Sequence, residues 1–135
     1  MSLEVLLIED NPGDAKLIGR LLEEAEPGGF HITAVSRLST GERLLLATRF
    51  DVVLLDLSLP ESSGLQTVVR LKTLPVEVPI VVVSGLDDLA IRQKAIQMGV
   101  HYYVVKGAMT GDELAELVRR AAAVGELFQE MGANS

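Results

Sequence analysis

The hydrophobic positions of this chain form five short runs that alternate with longer stretches of mixed character. The runs are rich in Val, Leu and Ile, and the third is apolar almost throughout, which is typical of strands buried on both faces of a parallel sheet. The predicted strands are Leu3–Ile8, Phe30–Val35, Asp51–Asp56, Pro79–Ser84 and His101–Val105.

The stretches between and after these runs carry apolar residues at helical spacing, and each begins with a helix-start signal. Two kinds of signal occur: a capping Asn or Asp, and the capping-box pattern of Ser or Thr followed three residues later by Glu or Gln. These signals lie at Asn11, at Ser39, at Ser63, at Asp87 or Asp88, and at Thr110.

Five strands alternating with five helices predict an α/β fold, a doubly wound three-layer sandwich built on a five-stranded parallel sheet. The flavodoxin-like strand order 2-1-3-4-5 makes the first and third strands neighbours at the topological switch point. Ligands of such sheets bind outside the carboxyl ends of the strands. We therefore expect the functional site where the predicted strands end.

Length and composition narrow the class of protein further. At 135 residues the chain is expected to form one domain, and the absence of cysteine excludes disulfides. No apolar run approaches the roughly 18 residues that span a bilayer, and no signal-type segment opens the chain. The net charge of -7 argues against direct binding of nucleic acid. The expectation is a cytoplasmic protein that binds neither membrane nor nucleic acid directly.

The last predicted helix is longer than a small sheet needs. If it runs to about Glu130, it measures roughly 30 Å, and Phe128 and Met131 continue its apolar stripe. We therefore divide the chain into a domain over residues 3–124 and a C-terminal helix extension or tail over residues 125–135. The extension could pack on a second copy, lead into another domain, or fold back on its own domain.

Polar side chains follow four of the five predicted strands. They are Glu9, Asp10, Asp56, Ser84 and Lys106. Carboxylates after the first and third strands would share one crevice, where like charges oppose one another's ionisation unless a cation joins them. Mg²⁺, or Mn²⁺ in its place, prefers such oxygen ligands. Glu9, Asp10 and Asp56 are the predicted metal ligands.

With a metal beside it, Asp56 could act as a nucleophile and form an aspartyl phosphate. Phosphoryl transfer asks a protein mainly for positioning and charge stabilisation. The Lys106 ammonium and the Ser84 hydroxyl would bind phosphoryl oxygens, and Gly85 would let a backbone N–H approach closely. Singly, Ser84 is more readily explained as a capping residue and Lys106 as an exposed charge. Together the strand-end residues favour a phosphorylation site.

The segments around these residues are LLIEDN, VVLLDLSLPESSG, PIVVVSG and YYVVKG. In this order and spacing, the chain resembles the receiver domain of two-component response regulators from Leu3 to about Val124. The resemblance implies phosphorylation of Asp56 by a histidine kinase or phosphotransfer protein. It also implies that the Ser58 backbone carbonyl is a further metal ligand.

The resemblance implies a switch as well. Movement of Ser84 toward the phosphoryl group would let Tyr103 turn inward and reshape the face made by the fourth helix, fifth strand and fifth helix. An output domain or downstream protein would bind that face. A homodimer through the same face or through the C-terminal helix is possible as well. Tyr103 has a second interpretation, as a core aromatic with a solvated hydroxyl.

One departure from the family's pattern is Gly107, which stands where the family usually has a cis proline after the lysine. The loop that carries Lys106 is therefore expected to differ in shape. The overall expectation is a phosphoryl acceptor that assists its own phosphorylation and dephosphorylation. It is not expected to be a turnover enzyme, whether it acts alone or within a hybrid histidine kinase or other multidomain signalling protein.

Three other functions compete with this interpretation. A Mg²⁺-dependent phosphatase of the haloacid dehalogenase type forms an aspartyl phosphate too, but it needs a second Asp where this chain has Ser58. A flavodoxin-like cofactor binder would need a loop without the acidic residues Glu9, Asp10 and Asp14. A receiver-like interaction module that is never phosphorylated is the third, although all the chemical positions are filled.

Overall fold

A computed structural model of the chain describes residues 2–133, and the side chains of residues 2–127. Five strands alternate with five helices, as the hydrophobic pattern predicts. The elements are β1 Leu3–Ile8, α1 Pro12–Ala25, β2 Phe30–Val35, α2 Leu38–Ala47, β3 Val52–Leu55, α3 Leu65–Lys72, β4 Ile80–Ser84, α4 Leu89–Gln97, β5 Tyr102–Val105 and α5 Gly111–Ala133.

The strands form one parallel sheet in the order β2-β1-β3-β4-β5, which confirms the predicted fold class. All four residues of β3 and all five of β4 are buried, because helices cover both faces of the central strands. Alternate strand residues point to opposite faces. Val53 and Leu55 belong to one hydrophobic cluster, whereas Val52 and Leu54 belong to the other.

Three of the predicted helix starts are confirmed. The Asn11 side chain accepts a hydrogen bond from the backbone N–H of Asp14, and Asp88 caps α4 in the same way. Thr110 opens α5 with a complete capping box, since its hydroxyl and the Glu113 carboxylate each accept a backbone N–H from the other residue. These caps fix where the loops at the strand ends turn back into helices.

The capping boxes predicted at Ser39 and Ser63 are wrong. Helix α2 begins one residue before Ser39, and the N–H and hydroxyl of Ser39 both donate to the Glu61 carboxylate, from the loop after β3. Ser63 pairs with Ser58 in an isolated antiparallel bridge, and Gly64, at φ +64°, precedes α3. In both cases the loop after β3 supplies a partner that the local pattern does not contain.

Helix α5 is longer than predicted and ends at Ala133 rather than at about Glu130. It passes close to the start of β4, where a Cβ at Gly125 would lie 2.7 Å from Cγ of Pro79. Phe128 and Met131 lie outside the residues whose side chains are described, so the expected continuation of the apolar stripe stays a prediction. Within the described residues, no helix combines the length and apolarity needed to cross a membrane.

Candidate functional site

The residues expected to carry the chemistry meet at the carboxyl edge of the sheet. Backbone hydrogen bonds continue the strand ladders to this edge and fix each residue in place. The Asp56 N–H donates to the carbonyl of Ile8 at 3.0 Å, and the Lys106 N–H donates to the carbonyl of Ser84 at 2.8 Å. Parallel pairing thus brings together residues that lie up to 97 positions apart in the chain.

Three carboxylates form the acidic part of the site. Glu9, Asp10 and Asp56 each offer an oxygen, and these oxygens all lie within 4.8 Å of one another. Glu9 and Asp56 are only 3% and 4% exposed, whereas Asp10 is open to solvent. A hard divalent cation would offset the repulsion among them and would keep waters in its remaining coordination positions.

Glu9 shows that the site fits such a cation. Its Oε2 atom is buried and has no hydrogen-bond partner. Burial, followed by the neighbouring Asp56 carboxylate, raises the pKa of Glu9 to about 8, although Lys106 opposes the shift. A buried carboxylate oxygen that no protein donor satisfies is a natural metal ligand, because the metal stabilises the ionised form.

The ammonium group of Lys106 lies among three carboxylates. Its Nζ atom lies 2.6 Å from Oε1 of Glu9, 2.9 Å from Oδ2 of Asp14 and 3.7 Å from Oδ2 of Asp56. Burial lowers the pKa of Lys106, but the hydrogen bonds to Glu9 and Asp14 outweigh burial and leave the pKa raised. The ammonium is therefore charged at neutral pH and lies beside Asp56 without a close hydrogen bond to it.

Asp14 is the residue of this site that sequence analysis missed. The hydrogen bond from Lys106 lowers the pKa of the Asp14 carboxyl. An acid in the first turn of a helix is ordinarily explained by the helix dipole, so its local pattern gave no reason to assign it to the site. The available signal was its place in the first turn of the helix that follows Glu9 and Asp10, because that turn lies at the same end of the sheet.

The loop after Lys106 is a tight turn. The Ala108 N–H donates to the carbonyl of Val105, and Gly107 adopts a φ of +81°. Glycine is suited to this conformation, which other residues rarely adopt. The described part of the chain contains no cis peptide bond, so the bond between Lys106 and Gly107 is trans.

Ser84 and Tyr103 contact the same residue from two sides. The buried Ser84 hydroxyl accepts the N–H of Leu86 at 3.1 Å, and the Tyr103 hydroxyl donates to the carbonyl of Leu86 at 2.9 Å. The Arg92 guanidinium lies 5.7 Å from the centre of the Tyr103 ring. A Cβ at Gly85 would meet no neighbouring atom within 4 Å, so any steric need for glycine there would come from a bound group.

The Ser58 N–H donates to Oδ1 of Asp56 at 3.3 Å, so the loop after β3 folds back toward the acid. This contact places the Ser58 backbone next to the carboxylate cluster. It also occupies one oxygen of Asp56 and leaves Oδ2 as the atom nearer Lys106. Glu9, Asp10, Ser58 and Lys106 therefore lie around Asp56 at the end of β3, and Ser84 ends the neighbouring strand β4.

Comparison with known proteins agrees with this geometry. The response regulator receiver domain family matches residues 5–119. The swarming motility regulation protein RssB of Serratia marcescens is 30% identical over 90% of this chain and 52% of its own length. The cell cycle transcriptional regulator CtrA of Caulobacter vibrioides is 29% identical over 88% of this chain and 52% of its own. The chain thus spans about half the length of these relatives.

Solved structures are similar as well. The signal receiver domain of a putative Luxo repressor protein from Vibrio parahaemolyticus superposes with a TM-score of 0.84 at 18% identity, over 97% of this chain and 98% of that one. The BeF3-activated N-terminal receiver domain of RstA from Klebsiella pneumoniae has a TM-score of 0.75 at 25% identity, over 88% and 97% of the two chains. With a family match over most of its length, this chain belongs to the response regulator receiver domains of two-component systems.

Proposed function

We propose that this receiver domain accepts a phosphoryl group on Asp56 from a histidine kinase or a phosphotransfer protein. The observation that carries the proposal is the surroundings of Asp56, a buried carboxylate with two further acids within 4.8 Å and the Lys106 ammonium at 3.7 Å. A carboxylate in such surroundings needs a nearby cation to balance the negative charge. It also needs a hydrogen-bond donor that can stabilise an incoming phosphoryl group.

Glu9, Asp10 and Asp56, with the Ser58 carbonyl, are the proposed ligands of Mg²⁺ or Mn²⁺. The bound cation would neutralise the charge that builds up on the phosphoryl oxygens. An Asp56 carboxylate oxygen attacks phosphorus, the bond from phosphorus to the donor's leaving atom breaks, and the donor keeps that electron pair. Lys106 and Ser84 then donate hydrogen bonds to the oxygens of the new aspartyl phosphate, together with a backbone N–H next to Gly85.

We further propose that phosphorylation is transmitted through Leu86. A Ser84 hydroxyl that turns toward the phosphoryl group would release the N–H of Leu86, and Tyr103 is hydrogen-bonded to the carbonyl of that same residue. The affected surface lies on α4, β5 and α5, and its proposed partner is an output domain, a downstream protein or a second copy of the chain. The names of RssB and CtrA describe regulators, which is consistent with a regulatory output.

Incubation with Mg²⁺ and a small acyl phosphate, followed by intact-mass measurement, tests the proposal. Wild-type protein should gain the mass of one phosphoryl group, Asp56→Asn should gain none, and a chelator should prevent the gain in wild type. Asp51→Asn is a matched control, because Asp51 lies before the same strand and binds the N–H of Glu4. A wild-type protein that stays unmodified would favour an interaction module that is never phosphorylated.

A further inference from the structure

The Asp14 carboxylate binds the same ammonium that the proposed phosphoryl group requires. An ammonium has three N–H donors. Two of them are directed to Glu9 at 2.6 Å and to Asp14 at 2.9 Å, whereas the nearest Asp56 oxygen lies at 3.7 Å, beyond a normal hydrogen bond. Lys106 is thus hydrogen-bonded to Glu9 and Asp14 and makes only a longer ion pair with Asp56.

Asp14 is well placed to hold the ammonium there. It lies in the first turn of α1, and its backbone N–H donates to the side chain of the capping residue Asn11 at 3.0 Å. The start of the helix therefore fixes the backbone of Asp14. The Asp14 side chain is 39% exposed at the rim of the site. A partly solvated acid can release a lysine at modest cost, because water takes over the carboxylate when the ammonium leaves.

We infer that Asp14 is a positioning residue that holds Lys106 away from Asp56 and competes with the phosphoryl group for the ammonium. The inference rests on the proposed function. When Asp56 is phosphorylated, Lys106 donates to a phosphoryl oxygen and its contact with Asp14 weakens. Asp14 thereby favours the unphosphorylated state and lowers the occupancy that a given phosphodonor can reach. The expected receiver residues do not include this acid, so the effect is particular to chains that carry one at this position.

Beryllofluoride, an analogue of the phosphoryl group, measures the competition directly. Titration with Mg²⁺ and beryllofluoride, followed by ¹⁹F NMR, should show that Asp14→Asn binds the analogue about twofold to fivefold more tightly than wild type, the range expected for a partly exposed ion pair. Asp87→Asn removes an equal charge from the exposed loop after β4 and should leave the affinity unchanged. Equal or weaker binding by Asp14→Asn would overturn the inference.

A Lys106→Met background separates competition for Lys106 from a general effect of removing the Asp14 charge. In Lys106→Met, Asp14 has no ammonium to hold, so Asp14→Asn should no longer strengthen beryllofluoride binding. If Asp14 acted only by repelling the anion, its removal would strengthen binding at least as much in this background as in wild type. That result would contradict the inference and leave the phosphorylation of Asp56 untouched.

A structure without bound analogue tests the role of Asp14 even if beryllofluoride does not bind. In a crystal structure of Asp14→Asn without analogue, the Lys106 ammonium should move from 3.7 Å to within hydrogen-bond distance of Asp56. An ammonium that keeps its wild-type position would overturn the inference. Wild-type protein that fails to bind beryllofluoride would instead contradict the proposed function, so the two failures are distinguishable.

Discussion

Glu9 and Asp56 are two buried carboxyl groups side by side at the end of the sheet. Water reaches neither of them to any extent, and the N–H of Ser58 and the ammonium of Lys106 are the donors nearby. Because its burial and the neighbouring Asp56 carboxylate both raise its pKa, Glu9 retains a proton to unusually high pH. In the metal-free domain this arrangement is unfavourable to folding, and the same arrangement favours binding of a cation.

The raised pKa of Glu9 predicts a pH-dependent stability in the absence of metal. The unfolded state ionises near pH 4.5 and the folded state near pH 8, so the stabilisation from protonated Glu9 is complete below pH 4.5 and is lost as the pH rises through 8. Glu9→Gln, which mimics the neutral form, should exceed wild type in free energy of unfolding by about 1–3 kcal/mol near neutral pH. Urea denaturation with a chelator present, from pH 5 to 8, measures this.

The difference between Glu9→Gln and wild type should grow with pH across this window. Glu24→Gln is the matched control, because Glu24 is exposed on α1 and its substitution should not alter the pH profile. Two parallel stability curves for Glu9→Gln and wild type from pH 5 to 8 would show that Glu9 ionises normally in the folded protein.

At the scale of elements, the start of α5 depends on Thr110. Its hydroxyl accepts the N–H of Glu113, and the Glu113 carboxylate accepts the N–H of Thr110. Thr110→Ala should lower the free energy of unfolding by about 1 kcal/mol, because a helix N–H loses its partner. Thr110→Ser keeps the hydroxyl and should retain most of the stability in the same denaturation experiment. Equal losses in the two variants would exclude capping as the cause.

The five strands could be predicted from the sequence because each is a short apolar run. Their number and their alternation with helices indicated the doubly wound parallel fold. Since parallel strands end at a common edge, the positions of Glu9, Asp56 and Lys106 followed from the strand ends alone. Helix starts were predictable where the cap and its partner lie within one turn, as at Asn11 and Thr110.

The remaining features depend on contacts between distant segments. Ser39 has the local pattern of a cap, yet its hydroxyl donates to Glu61, 22 positions away. Asp14 looks like an ordinary first-turn acid, and only its pairing with Lys106, 92 positions away, adds it to the site. Side-chain partners of this kind depend on packing of the finished fold, which local periodicity does not encode.

At the scale of the whole molecule, the proposed site lies at one edge of a sheet that two helix layers bury. Val53 and Val82 on one face and Leu54 and Val81 on the other hold β3 and β4 in place. The site is thereby carried on buried strands, whereas Leu86, after β4, is hydrogen-bonded to Tyr103 on β5. Under the proposed function, phosphorylation of Asp56 would reach the surface through Leu86 and leave the core undisturbed.

Metal binding should stabilise the entire domain, because only the folded state assembles the three carboxylates. A free Mg²⁺ concentration one hundred times the dissociation constant adds about 2.7 kcal/mol to the free energy of unfolding. Wild-type protein should therefore melt at a higher temperature with Mg²⁺ than with a chelator. Asp10→Asn, which removes the exposed carboxylate of the cluster and thus a proposed ligand, should lose most of this increase.

Asp112→Asn is the control for the effect of Mg²⁺ on the melting temperature. Asp112 is an exposed acid in the first turn of α5, and it lies outside the carboxylate cluster. An increase in melting temperature that is equal in wild type, Asp10→Asn and Asp112→Asn would indicate nonspecific binding of the cation and would count against a metal site at Glu9, Asp10 and Asp56.

The central claim is that Asp56 itself carries the phosphoryl group. Borohydride reduces an aspartyl phosphate to homoserine, so peptide mass spectrometry after treatment with acyl phosphate, Mg²⁺ and borohydride locates the modified residue. We predict homoserine at position 56 in wild type, and none at that position when Mg²⁺ is chelated before phosphorylation. Homoserine at another aspartate, or at none in the fully treated wild-type protein, would contradict the account.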